Sequence, residues 1–351
     1  MHAQKGESNM GFFSKLFGKP QVKLTETESK SVNKLNRNLA NDNVPPVQGD
    51  YAKTIFLWAN EKASPIKKSS EYARYFLYEC GIRDCAAYHR ELITAGYFEE
   101  ASIELLLDSL KISELKQILT DINQPTTGKK DALISRILTA SDTSIISKYC
   151  PQKLYVLTEK GTEFLSAHND YVQIHKHKNW GVSWQEYDAK HREGHSFFDT
   201  IWGILNERIV RDNKQFGRNE YLFMYQLLLE ENRRKDALEM LLRVLYIDLS
   251  GVAGLDSFSL YKKGLYKEKE LREQFDIIIM LAPGIINPIA DYRDVFEDSI
   301  VDHIYEHKLT IQVCDKKLFL SIVYKALDGS YEETIIKEQL MKAYSKAIKE
   351  I

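Results

Sequence analysis

Four consecutive residues carry the clearest potential for chemistry: Thr127, Gly128, Lys129 and Lys130. They directly precede an apolar stripe, which predicts a helix from Lys129 to about Ala140, with Thr127 as its N-cap. The first backbone N–H groups of a helix lack intrahelical partners, and lysines in the first turn oppose the helix dipole unless an anion binds there. Amide and ammonium groups that converge in this way indicate a phosphate site.

Two further cations, Lys116 and Arg136, extend this predicted patch. Lysine and arginine contacts to phosphates supply most of the sequence-independent attraction between proteins and nucleic acids. The pattern therefore predicts contacts to a nucleic-acid backbone by both cations together with residues 127–130. A hairpin that is purely structural, or that docks a protein, is the alternative that the sequence leaves open.

Two apolar stripes must position these cations. The first consists of Leu115, Ile118, Leu119 and Ile122, and the second of Leu133, Ile134, Ile137 and Leu138. Both have the i, i+3, i+4 spacing of one helix face, and a break at residues 123–128 separates them. The stripes predict a helical hairpin of about 30 residues, whose small core needs support from a neighbouring element.

The segments Leu110–Leu119 and Thr127–Ile137 together resemble the SAP motif, a short helix–loop–helix module best known for DNA binding in chromatin and repair proteins. The resemblance implies a DNA-binding hairpin within residues 101–142. Lys111 stands where that family usually has a capping threonine, and Asn123-Gln124 replaces a Gly-Leu pair. Asparagine can adopt the left-handed conformation of glycine, but glutamine supplies no apolar plug.

The charge of this region limits the expected affinity. Residues 102–140 carry five basic side chains, Lys111, Lys116, Lys129, Lys130 and Arg136, and five acidic ones, Glu104, Asp108, Glu114, Asp121 and Asp131. Because the region has no net charge, we expect weak and strongly salt-dependent nucleic-acid binding.

The flanks of the SAP-like hairpin resemble the recognition helix and wing of a winged-helix domain. Asp84 is a plausible N-cap of a helix over Cys85–Ala95, and the sequence Leu154–Gly161 resembles the second wing strand and the helix that follows it. The resemblance implies a discontinuous winged-helix-like domain, residues 51–100 and 150–180, with the hairpin inserted in its wing. Two weak nucleic-acid elements in one unit would reinforce each other.

On the recognition helix, the apolar spacing directs His89, Arg90 and Glu91 towards solvent. With Arg83, these residues form a thin basic face, and Arg90 is the predicted nucleic-acid contact. Winged helices also dock proteins, so this alternative stays open. Upstream, Thr54–Ala59 is apolar and β-favouring.

The first 50 residues are predicted to form a flexible tail, because they contain too few spaced apolar residues to offset the entropy of ordering. Within it, residues 10–19 place Phe12, Phe13, Leu16 and Phe17 beside Lys15 and Lys19. A helix of about two turns is marginal in water, so we expect no stable membrane anchoring.

Residues 181–351 are predicted to form an all-helical domain for partner binding or self-association. Its expected helices are Phe197–Ile209, Tyr221–Leu229, Lys235–Leu249, Leu271–Leu281, Tyr292–His307, Lys316–Leu327 and Glu332–Ile348. The predicted fold is therefore mainly α: a winged-helix-like N-terminal domain with a SAP-like insertion, followed by the helical domain.

Composition excludes several classes of protein. The 351 residues carry 48 Lys and Arg against 50 Asp and Glu, a net charge of −2, so bulk charge cannot coat a nucleic acid. No apolar run suggests a membrane span, no export signal is recognisable, and the four cysteines do not form a disulfide framework. The expected location is the cytoplasm, and Cys80 and Cys85 are expected to be reduced, half-buried thiols.

The leading prediction is a non-enzymatic protein that binds nucleic acid, with DNA favoured over RNA. A protein-interaction scaffold is the alternative. A third hypothesis, a metal-dependent enzyme, rests on His175, His177, His191 and His195, whose spacing departs from the HExxH pattern. No nucleophile, nucleotide or kinase motif is present, so neither a cofactor nor a metal is predicted.

Overall fold

The computed structural model describes residues 44–140, 143–211 and 214–350. The chain is mainly helical and forms two compact units that divide between Lys178 and Asn179. The segment at residues 10–19 and most of the predicted tail lie outside the described residues. The expected tail boundary at residue 50 is wrong, because a helix begins at Gly49 and the Gln48 N–H donates to the Cys80 carbonyl at 3.0 Å.

The first unit begins with helices α1 (Gly49–Ala59), α2 (Tyr75–Tyr78) and α3 (Cys85–Thr94), with a 3-10 turn at Ser69–Glu71. The β-favouring run at Thr54–Ala59 is therefore helical. Its side chains Ile55, Phe56 and Leu57 are fully buried, so packing outweighs the local preference. Helix α3 is capped as predicted, since the Asp84 carboxylate accepts the Ala87 N–H at 2.9 Å.

Two strands, β1 (Phe98–Glu100) and β2 (Tyr155–Leu157), pair antiparallel, with Phe98 opposite Leu157 and Glu100 opposite Tyr155. The pairing continues one step outwards, where the Ala101 N–H donates to the Leu154 carbonyl at 2.8 Å. Residues 102–153, here called the insert, therefore leave and rejoin the chain at neighbouring strand ends. Residue Ser64 also forms a bridge with Tyr155 on this small sheet.

The insert contains helices α4 (Ile103–Ser109), α5 (Ile112–Asp121), α6 (Lys130–Ala140) and α7 (Thr143–Tyr149). Its buried cluster consists of Leu107, Leu115, Ile118, Leu119, Leu133, Ile134, Ile137 and Ile146. The predicted hairpin corresponds to α5 and α6. The support that it needs comes from within the insert, because α4 adds Leu107 and α7 adds Ile146 to the same core. Leu138, predicted as core, is 40% exposed.

The first unit closes with α8 (Glu159–Ala167) and α9 (Asn169–Lys176), and a 3-10 turn, Lys178–Trp180, lies at the boundary between the units. Helix α8 begins after Thr158, whose hydroxyl accepts the Gly161 N–H at 3.1 Å. A Cβ at Gly161 would lie 2.3 Å from the Tyr97 carbonyl oxygen, so glycine permits the close approach of α8 to the end of the β1 strand.

The second unit is helical throughout its described residues. Its helices are α10 (Trp184–Lys190), α11 (Phe197–Arg211), α12 (Arg218–Glu230), α13 (Arg234–Asp248), α14 (Leu255–Lys262), α15 (Glu268–Glu273), α16 (Phe275–Ile278), α17 (Pro283–Ile286), α18 (Asp298–Tyr305), α19 (Lys316–Leu327) and α20 (Glu333–Glu350), with 3-10 turns Lys214–Phe216, Val252–Gly254 and Asn287–Tyr292. The expected helix Leu271–Leu281 is instead split at Gln274, and the one expected from Tyr292 begins at Asp298.

Helices α12 and α13 form the predicted hairpin of this unit. The carboxylate of Asp248 is 1% exposed and receives two hydrogen bonds from Arg218, one of them at 2.7 Å. Burial raises the pKa of Asp248, and the guanidinium opposes that rise.

One stretch of the described chain, Phe275–Tyr292, is long and apolar enough to count as a candidate membrane span, contrary to the sequence-based expectation that there is none. Its residues are divided among α16, α17 and a 3-10 turn, and 39% of them are buried inside the unit. A single stretch of this kind is weak evidence for a span, because core helices of soluble proteins pass the same test.

Candidate nucleic-acid interface

The predicted phosphate site lies where α6 begins. Helix α6 starts at Lys130, so Thr127 lies too far upstream to be its N-cap, and that prediction is wrong. Gly128 has a φ of 132°, a value that side chains with a Cβ rarely adopt, and a Cβ there would lie 3.4 Å from the Cβ of Ala132. The loop therefore turns into the helix at glycine, and Lys129 occupies the position just before the first turn.

Lys130 is paired within the insert. Its Nζ atom lies 3.0 Å from Oδ1 of Asp108 and also donates to the carbonyl oxygen of Asp108, at the end of α4. The lysine side chain is only 33% exposed, whereas the aspartate side chain is 60% exposed. One of the two cations expected to bind phosphate is thus already neutralised by a carboxylate that the sequence analysis did not connect with it.

Lys129 and Lys116 differ from Lys130 in being exposed. Among the described residues, neither ammonium group has an ion pair or a hydrogen bond. The carbonyl oxygen of Lys116 accepts the Thr120 hydroxyl at 2.9 Å, which concerns only the backbone. Lys129 and Lys116 are therefore the predicted cations that remain available to an external anion.

Arg136 has a structural partner. Its Nη1 atom donates to the carbonyl oxygens of Pro125 and Thr127, the latter at 3.0 Å. These bonds tie the middle of α6 to the loop that precedes it. The guanidinium therefore holds the segment that carries Lys129, and it positions this segment rather than standing free as the sequence suggested.

The other end of the loop is fixed at Asn123, which has a left-handed φ of 54° as the sequence predicted. The N–H groups of Asn123 and Gln124 donate back to the carbonyls of Thr120 and Leu119, at 3.0 and 2.7 Å. This double bond pattern is a Schellman motif, and it ends α5 without glycine. At the start of α5, the Lys111 N–H donates to Glu114 at 2.7 Å, so half of a capping box survives the loss of threonine.

A second polar cluster of the insert was missed by the sequence analysis. Asp121 accepts hydrogen bonds from Gln117 at 2.8 Å and from the Tyr149 hydroxyl, and Lys148 lies 3.8 Å away. The hydrogen bond from Tyr149 is the main cause of the lowered pKa of Asp121. No local pattern links residue 121 to residue 149, because they lie on different helices and meet only in the folded insert.

Outside the insert, Arg90 is exposed on α3, as predicted, but His89 is not. His89 is fully buried; its Nδ1 atom lies 3.0 Å from the Tyr72 hydroxyl, and its ring centre lies 4.7 Å from that of Phe98. Burial lowers the pKa of His89 to about 4. The buried stripe of α3 is Cys85, His89 and Leu92, so the predicted basic face loses its histidine.

The other histidines and the cysteines have separate environments. His175 is buried with Nδ1 3.2 Å from Glu79, whereas Nδ1 of His191 lies 3.0 Å from the Thr200 hydroxyl. Cys80 and Cys85 are free and fully buried rather than half-buried. Within the described residues, no group of three or more His, Cys, Asp or Glu is arranged to hold a metal ion.

Comparison with known proteins identifies the class of the insert. Residues 106–140 match the family model of the SAP domain, so the chain contains a SAP domain. The match spans α5, α6 and the intervening loop, with Lys116, residues 127–130 and Arg136 inside it, and Arg90 outside. No curated protein and no solved structure matches the chain significantly.

Proposed function

We propose that this protein binds a nucleic acid, DNA in the first instance, through the backbone phosphates and without catalysis. The observation that carries the proposal is the SAP domain at residues 106–140, because such domains are generally DNA-binding modules. The exposed ammonium groups of Lys129 and Lys116 support it, since they have no partner among the described residues.

The phosphate contact that we propose centres on Lys129 and the start of α6. The helix has free N–H groups in its first turn, and its dipole favours an anion there. Lys129 stands directly before that turn, and Arg136 holds the loop in place through the Thr127 carbonyl. Lys130 contributes less, because a phosphate must compete with Asp108 for it.

We also propose that the part of the first unit outside the insert is a degenerate winged-helix-like domain. Helix α3, the left-handed Gly96 and the β1–β2 pair follow one another as in a recognition helix and wing. The exposed residues of β1 are Glu99 and Glu100, although Lys153 pairs with Glu100 at 2.7 Å. An acidic wing strand repels phosphate, so Arg90 has little support as a groove contact.

The same acidic strand favours the alternative function, a scaffold that binds proteins. Fluorescence anisotropy with duplex and single-stranded oligonucleotides across a salt series separates the two functions. Lys129→Ala should reduce the salt slope by about one unit, whereas Lys130→Ala should reduce it by less. Lys317→Ala is the matched control, since Lys317 is an exposed first-turn lysine of α19. Flat anisotropy at low salt would favour the scaffold.

A further inference from the structure

The insert has a groove between α4 and α6 that the proposed phosphate contact does not use. The groove encloses about 470 Å³. Its apolar lining comes from Leu105, Ile134 and Leu138, and its acidic lining from Glu104, Asp108 and Asp131. Arg136, which bonds to the loop, lies more than about 90° around α6 from Leu138, so the groove and the loop occupy different faces of the helix.

The apolar lining is only partly covered. Leu105 is 44% exposed and Leu138 is 40% exposed, although Leu138 continues the apolar stripe of α6. Two leucines that face each other across a groove lose hydration cost when an apolar segment covers them.

The charge of the groove limits what can cover it. Glu104 and Asp131 are exposed, and among the described residues neither has an ion pair. Asp108 is shared with Lys130. The groove therefore carries more negative than positive charge, and it fits a short apolar segment flanked by lysine or arginine.

The chain itself contains such a segment at residues 10–19. Phe12, Phe13, Leu16 and Phe17 fall within an arc of about 140° on a helical projection, and Lys15 and Lys19, four positions apart, lie at one edge of that arc. Residues 20–43 can span at most about 80 Å, which is ample for a tethered segment to reach a surface of the same chain.

We propose that residues 10–19 dock in this groove of the same chain. The phenylalanines cover Leu105 and Leu138, and the two lysines approach Glu104 and Asp131. Phosphate contacts by Lys129 do not depend on this docking, so the inference stands apart from the proposed nucleic-acid function.

Photocross-linking in the full-length chain tests the docking. Phe13 is replaced by p-benzoylphenylalanine, and the same photoreactive residue at Leu24 serves as the control. We expect cross-links from position 13, within single chains, to peptides that cover residues 103–109 and 130–140. Products that are exclusively cross-linked dimers would contradict docking within one chain.

Charge exchange makes the test specific. Glu104→Lys with Asp131→Lys should lower the groove cross-link about tenfold, and adding Lys15→Glu with Lys19→Glu should restore it. Restoration cannot occur if the first pair of substitutions merely unfolds the insert. Glu193→Lys with Glu231→Lys, two exposed sites of the second unit, should change nothing.

Two outcomes would overturn the proposal. The first is a set of cross-links from position 13 that map outside the insert. The second is sedimentation of the full chain with anionic phosphatidylserine vesicles while no groove cross-link forms, which would assign the segment to a membrane surface instead.

Discussion

The ammonium group of Lys130 lies 3.0 Å from the carboxylate of Asp108, and this pair joins α6 to the end of α4. It places a negative charge beside the helix start where a phosphate would bind. An exposed pair of this kind contributes little stability, so its main effect is on ligand affinity. The pair weakens the site that the lysine would otherwise strengthen.

The first prediction concerns removal of that charge. Asp108→Asn should free Lys130 and raise oligonucleotide affinity several-fold at low salt, with a salt slope steeper by up to about one unit. Fluorescence anisotropy over a salt series measures both effects. Asp131→Asn is the matched control, because it removes an exposed carboxylate of α6 that has no ion pair among the described residues. Equal effects of the two substitutions would show that Asp108 does not restrain Lys130.

The second prediction distinguishes a positioning role of Arg136 from phosphate contact. Arg136→Ala should lower the free energy of unfolding by about 1–2 kcal/mol, because the carbonyls of Pro125 and Thr127 lose their donor. Arg136→Lys should recover part of this loss. Urea denaturation gives the stability change, and anisotropy gives the salt slope. Unchanged stability with a salt slope reduced by one full unit would instead make Arg136 a direct phosphate contact.

The third prediction is a loss of stability in acid. Because burial lowers the pKa of His89 to about 4, the fold prefers the neutral ring. Its contribution is complete above the unfolded-state pKa of about 6.5 and declines as the pH falls towards 4, by up to about 3 kcal/mol. Urea denaturation at pH 7 and pH 4.5 measures the decline.

The control for the acid effect is His89→Phe, which suits the aromatic surroundings of Phe56 and Phe98. It loses the bond to Tyr72, so it should be less stable than the parent at pH 7 but lose less on acidification. Burial also lowers the pKa of His175, so part of the acid sensitivity should remain. Identical pH dependence of parent and variant would contradict the assignment to His89.

The fourth prediction is that the insert can be removed. Replacing residues 102–153 with Asn-Gly should leave a two-residue turn between Ala101 and Leu154, which already share a backbone hydrogen bond. The remaining chain should retain a cooperative thermal transition by circular dichroism and should lose oligonucleotide binding. A chain that no longer folds would show that the insert supports the rest of the first unit.

Local patterns predicted the parts of the insert that local forces build. The stripes through Leu115, Ile118 and Leu119 and through Leu133, Ile134 and Ile137 are buried as expected. Asn123 takes the left-handed conformation because a single residue ends α5 there. These features depend on residues within a few positions of one another, so the sequence alone reveals them.

Contacts between distant residues explain where the predictions fail. Asp108 and Lys130 are 22 positions apart, and nothing in either local sequence indicates that they pair. Likewise, His89 has the spacing of a buried residue with Cys85 and Leu92, but its polarity led to the opposite assignment. The Tyr72 hydroxyl that accommodates the imidazole lies 17 positions away.

The hydrogen bond between Ala101 and Leu154 brings the two ends of the insert side by side. A domain with adjacent termini is portable, because it can be spliced into a surface turn of an unrelated host without pulling the host's ends apart. The same arrangement allows a pair of engineered cysteines at those ends to lock or release the graft by oxidation.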